Sequence, residues 1–201
     1  MSRGARLGAI AATACLATLL GACAGSVPKP DKDLLGDFRL PTSDGDTLSR
    51  LHWLDKNVGF LFVDPTCGLV QDASQPGGLI REMEKSFRDD RATTLVLIAS
   101  SPKGQALRAG DVSSWLRETR IASQVLLDTT GELARRAQVK RIPWALVVGS
   151  DGKWRYDGPA EPMDESGQFV VEAALRAAAK GKSTPRAQED GEGCPLVLDT
   201  P

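Results

Sequence analysis

The chain has 201 residues, with 25 Lys and Arg against 26 Asp and Glu and a formal net charge of −1. That balance offers neither a basic surface for nucleic acid nor an acidic block, so no nucleic-acid partner is expected. His52 is the only histidine, which leaves a histidine-based metal site or a Cys-His nucleophile pair poorly supplied. No metal and no other cofactor is expected, and His52, between Leu51 and Trp53, reads as a structural or surface residue.

Arg3 and Arg6 precede an apolar run, LGAIAATACLATLL, over residues 7–20. The run is short for a bilayer span and suits the core of a signal peptide. It ends in Leu20-Gly21-Ala22-Cys23, which resembles the bacterial lipobox. The resemblance implies removal of residues 1–22 as a signal peptide and lipidation of Cys23. It also implies attachment to a membrane at the periplasmic face of the envelope. Ala24, where an Asp would signal retention, points to the outer membrane. Of the four cysteines, Cys15 leaves with the signal peptide and Cys23 carries lipid. Cys67 and Cys194 remain, in a compartment that permits disulfides.

Residues 23–36, rich in Pro, Lys and Asp, read as a tether. One domain of about 140 residues is expected, over 37–180. It opens with a small hairpin, Phe38–Leu40 and Thr47–Leu48, around Ser43–Asp46. Val58–Asp64 is nearly continuous apolar sequence, as in a strand buried on both faces of a sheet. Leu79, Ile80, Met83 and Phe87 share one helical face. Thr93–Ser100 is a second buried strand. Asp111 is expected to cap a helix that turns Val112, Trp115 and Leu116 inward. Gln124–Asp128 is a third strand, and Thr129 with Glu132 suits a capping box for a helix through Ala137. Trp144–Val148 and Lys153–Tyr156 read as a hairpin around Ser150–Gly152. Phe169, Val170, Ala173, Ala174, Ala177 and Ala178 mark a last helix. Residues 181–201 read as a flexible tail, with an apolar knot, CPLVL, at Cys194–Leu198. A knot of that kind after a polar tail requires something to dock on.

The order predicts an α/β chain with a mixed central sheet and helices on both faces. With Cys67 just after the first long strand, in FVDPTCGLV, and Ile142-Pro143 just before a later one, it resembles the thioredoxin-like fold. This three-layer fold implies that Pro143 is cis and lies against Cys67. A bacterial redoxin-domain group is similar around the cysteine, and its members often end in a G-C-x-I element, like GEGCPLVL here. Gly68 stands where that group has proline. Peroxiredoxins have P-x-x-x-T-x-x-C, a spacing that Pro65 and Thr66 do not keep, and Arg141 lies two residues from the expected arginine, so peroxidase chemistry is a minor alternative. A copper-delivering C-x-x-x-C site would need a thiolate at Gln71.

The resemblance implies thiol-disulfide exchange at Cys67, at a helix N-terminus that favours thiolate, with Asp64 opposing that effect if buried beside it. Pro65 and Thr66 shape the turn, and Gly68 is expected to admit another backbone closely. Ile142, Pro143 and Trp144 would form the opposite lip, against which an extended partner segment pairs. The expected partners are extracytoplasmic protein thiols or disulfides. Cys194 is open to three roles: resolving thiol for Cys67, half of a permanent staple over a non-catalytic binding module, or a thiol for another protein. A Cys67–Cys194 bond would close a loop worth roughly 4–5 kcal/mol.

Overall fold

The computed structural model describes residues 35–101, 107–160, 168–182, 184 and 193–196. The leader and Cys23 lie outside these described residues. Strands β1 (Arg39–Pro41) and β2 (Thr47–Ser49) form the expected hairpin. Its turn is organised by the Thr42 hydroxyl, which accepts the Asp44 and Asp46 amides at 3.3 and 3.1 Å. Then come β3 (Asn57–Val63), α1 (Gly68–Ala73), α2 (Leu79–Phe87), β4 (Thr93–Ser100), α3 (Ala109–Thr119), β5 (Gln124–Asp128) and α4 (Glu132–Arg136). The chain continues through β6 (Arg141–Ile142), β7 (Trp144–Val148), β8 (Trp154–Pro159), α5 (Val170–Ala178) and β9 (Cys194–Pro195).

The main sheet has five strands in the order β5-β4-β3-β7-β8. β3, β4 and β5 are parallel, while β7 runs antiparallel to both β3 and β8. Mixed pairing follows from the sequence order, because each helical crossover returns the chain parallel and the final hairpin cannot. All seven residues of β3 are buried, as expected for a strand covered on both faces. On one face Gly59 makes room for Leu175 of α5, whose Cδ1 would stand 2.9 Å from a Cβ at that position. On the other, alternate face, Phe60 packs edge-on against Phe38 and Trp53, with ring centroids 6.1 and 5.7 Å away. Leu35 is also fully buried in this core.

Three local expectations need correction. Asp111 does not cap α3: the N-cap position is Arg108, and Asp111 lies inside the first turn, where its charge suits the helix dipole. The Thr129–Glu132 capping box does not form. The N-cap of α4 is Gly131, at φ 65°, and the carboxylate of Asp128 caps the helix instead, accepting the amides of Leu133 at 3.2 Å and Ala134 at 2.9 Å. The end of β5 therefore anchors the start of α4 across a tight turn. The buried residues of α5 are Val171, Glu172, Ala174, Leu175 and Ala178, a stripe rotated from the expected one because the helix centres Leu175 over Gly59. Ala173 and Ala177 are half-buried on its flank.

Leu175→Ala would remove the side chain that fills the space over Gly59. The expected loss is about 2–5 kcal/mol, read as a lowered urea midpoint at unchanged m-value. A loss below about 1 kcal/mol would show that this helix–sheet contact is not the close fit described.

Candidate functional site

The register of β3 against β7 builds the site. Phe62 pairs with Trp144, so the chain leaving β3 and the chain entering β7 lie side by side. The first supplies Asp64–Cys67, and the second supplies Ile142–Pro143.

The exit from β3 is a turn that the sequence closes on itself. Asp64 is buried. Its Oδ1 accepts both the amide and the hydroxyl of Thr66, each at 2.8 Å, and its carbonyl accepts the Cys67 amide at 2.9 Å. Pro65 supplies the restricted φ that suits the second position of such a turn. Gln71 reaches back from α1 and donates to the Pro65 carbonyl at 3.2 Å. Cys67 is the N-cap residue of α1, and its carbonyl accepts the Gln71 amide at 3.0 Å.

Across from it, the Ile142–Pro143 peptide bond is cis, as the resemblance implied. The Cys67 Sγ lies 3.9 Å from the Ile142 carbonyl oxygen. That is a contact and not a hydrogen bond, because the sulfur carries no proton: it is bonded to Cys194. The two cysteines are 127 residues apart, with Cα atoms 6.0 Å from each other. Cys67 is 4 % exposed, whereas Cys194 is half-buried.

The tail does not merely reach the sulfur. It forms strand β9 against β6, antiparallel, with Ile142 opposite Cys194 and Arg141 opposite Pro195. The Leu196 amide then donates to the Lys140 carbonyl at 2.8 Å. Leu196 is 5 % exposed and joins the core. Cys194–Leu196, the described part of the apolar knot, thus dock on the strip immediately before cis-Pro143.

The structure brings together Pro65, Cys67, Ile142, Pro143 and Cys194. Thr66 is exposed, with its hydroxyl committed to Asp64. Trp144 is buried, and its Nε1 donates to the Asp157 carboxylate at 2.8 Å. Tyr156, on β8 opposite Val147, donates its hydroxyl to the carbonyl of Pro159, the residue opposite Trp144. Burial, with Asp157 adding to it, holds that phenol well above its ordinary pKa range. Gly68 is exposed, and a Cβ there would meet nothing of this chain within 4 Å. The close approach is made by Gly193, where a Cβ would stand 3.0 Å from both the Ile142 carbonyl oxygen and the Arg141 Cβ. Its only signal in the sequence was its place just before Cys194. Among the described residues no group of three His, Cys, Asp or Glu side chains could hold a metal ion. No described helix is long and apolar enough to cross a membrane.

No family model and no curated protein matches the chain. Solved structures do. A hypothetical protein from Sinorhizobium meliloti is 18 % identical with a TM-score of 0.67, over 83 % of this chain and 93 % of its own. An uncharacterized conserved protein from Geobacillus kaustophilus is 20 % identical with a TM-score of 0.67, over 82 % and 90 %. A secreted Mycobacterium tuberculosis disulfide oxidoreductase homologous to E. coli DsbE is 19 % identical with a TM-score of 0.56, over 73 % and 98 %. The chain has the thioredoxin-like fold.

Because the disulfide closes a loop spanning most of the domain, its reduction is expected to lower unfolding free energy by about 4–5 kcal/mol on the chain-entropy account. Guanidinium titrations of oxidised and reduced protein measure the difference. Coincident curves would mean that the tail does not constrain the unfolded chain.

Proposed function

We propose that this chain is a membrane-anchored, extracytoplasmic thiol-disulfide exchange protein, in which Cys67 is the nucleophile and Cys194 resolves. The observation that carries this reading is the Cys67–Cys194 disulfide at a strand-to-helix turn facing cis-Pro143. The disulfide oxidoreductase among the neighbours in fold supports it. The Leu20–Cys23 motif supports lipidation of Cys23 and an outer-membrane site facing the periplasm.

The chemistry balances with these two sulfurs alone. From the reduced state, the Cys67 thiolate attacks a sulfur of a partner's disulfide. A Cys67–partner bond forms, and the partner's other sulfur leaves as thiolate. The Cys194 thiolate then attacks Cys67 Sγ, which closes Cys67–Cys194 and releases the second partner thiolate. The partner gains two electrons and the protein loses two. From the oxidised state described here, a partner dithiol drives the same steps backwards. Cys67 stands at the N-terminus of α1, where the free amides of a helix's first turn favour a thiolate over a thiol. Ile142 and Pro143 form the lip against which the partner segment lies, and Pro65 and Thr66 hold the turn.

One observation favours a second reading, a binding module with a structural disulfide: Cys67 is almost wholly buried beneath the docked tail. Titration against glutathione buffers, with alkylation and mass mapping of Cys67 and Cys194, separates the two. Exchange requires a bond that opens above about −250 mV, and resistance below about −300 mV would mark a staple.

In an insulin-reduction assay driven by a dithiol, Cys67→Ser is expected to abolish turnover. Cys194→Ser is expected to retain attack and accumulate a mixed disulfide on Cys67. Turnover that survives Cys67→Ser would overturn the assignment.

A further inference from the structure

The tail occupies the strip against which, on the exchange reading, a partner must lie, and it does so as an extended peptide joined to Cys67 through sulfur. It therefore displays what that strip accepts. Resting on that reading, we propose that Gly193–Leu196 is a built-in copy of the ligand. The strip Lys140–Ile142 recognises an extended partner segment in which glycine precedes the reacting cysteine and an apolar side chain lies two positions after it.

Each position of the tail carries a reason. Cys194 lies opposite Ile142 and puts its sulfur on Cys67. Gly193 lies flat on β6: a Cβ would stand 3.0 Å from the Ile142 carbonyl oxygen and from the Arg141 Cβ. Backbone cannot yield as the end of a flexible side chain does, so alanine forces a shift of a few tenths of an ångström and a β-branched residue forces separation of the strands. Pro195 is exposed and lies opposite Arg141. The ladder bond is made one residue later, by the Leu196 amide to the Lys140 carbonyl. A proline therefore fits at 195, because antiparallel pairs bond at alternate positions. Leu196 shares a side of the strand with Cys194 and is buried to 5 % exposure. Glycine before the cysteine, freedom at the next position and an apolar residue after that form a pattern a partner can satisfy.

The test uses full-length Cys194→Ser protein and three peptides, each activated as its glutathione mixed disulfide. Their core sequences are Gly-Cys-Pro-Leu, Val-Cys-Pro-Leu and Gly-Cys-Pro-Asp. Equilibrium adducts on Cys67 are quantified by mass mapping. The first peptide is expected to exceed each of the others at least tenfold. Equal adducts from all three, with Cys67 reactive toward glutathione disulfide, would overturn the recognition pattern and leave exchange standing. A Cys67 that reacts with no disulfide would overturn both. A second measurement needs no peptide. Gly193→Val in the otherwise unchanged chain is expected to shift the Cys67–Cys194 equilibrium with glutathione toward the dithiol at least tenfold, and an unchanged equilibrium would overturn the proposal.

Discussion

The site depends on the pairing of β3 with β7. A one-residue slip of β3 would turn every side chain to the opposite face and would take Gly59 from beneath Leu175, so the strand's register is specified. Phe62 opposite Trp144 is that register. It brings the turn after Val63 and the cis bond before Trp144 to the same end of the sheet. Neither cysteine nor proline has to find the other. Gly59 serves the same constraint from the opposite face, because α5 can cover β3 closely only where no side chain intervenes.

On that frame the two lips of the site are held by different means. The Cys67 lip is a self-contained turn, with the Asp64 carboxylate and carbonyl accepting three hydrogens from Thr66 and Cys67. The Pro143 lip is held on one side by Trp144, tied to Asp157, and on the other by the pairing of β6 with the tail. The first lip is complete without the tail. The second owes part of its order to whatever strand lies beside it.

What the sequence disclosed follows the range of the interaction. Val58–Asp64 was legible because burial on both faces leaves an unbroken apolar run. Pro143 was legible as cis only through resemblance, since an X-Pro pair carries no mark of its isomer. The cap on α4 was misread because Thr129 and Glu132 have the local spacing, while Asp128 gains its geometry from the end of β5. The close approach at Gly193 went unread for a related reason. A glycine beside a cysteine is visible, but the backbone that crowds it is more than 50 residues away along the chain, at Arg141–Ile142. The partner of Cys194 stayed open because a separation of 127 residues fixes no distance.

The tail's hold on β6 is small without its sulfur. Two residue pairs and the Leu196 amide make up the ladder, and a net hydrogen bond contributes about 0.5–1.5 kcal/mol. A two-stranded ribbon of this length is marginal alone, and the buried Leu196 adds one apolar side chain. The disulfide is what makes the tail the permanent occupant. Opening it converts a covalent occupant into a weak one, which on the exchange reading a partner strand with a longer ladder displaces. Linkage makes the relation reciprocal: any segment that binds the strip Lys140–Ile142 also disfavours closure of Cys67 with Cys194. The oxidation state of one bond and the identity of one strand are in this way a single equilibrium.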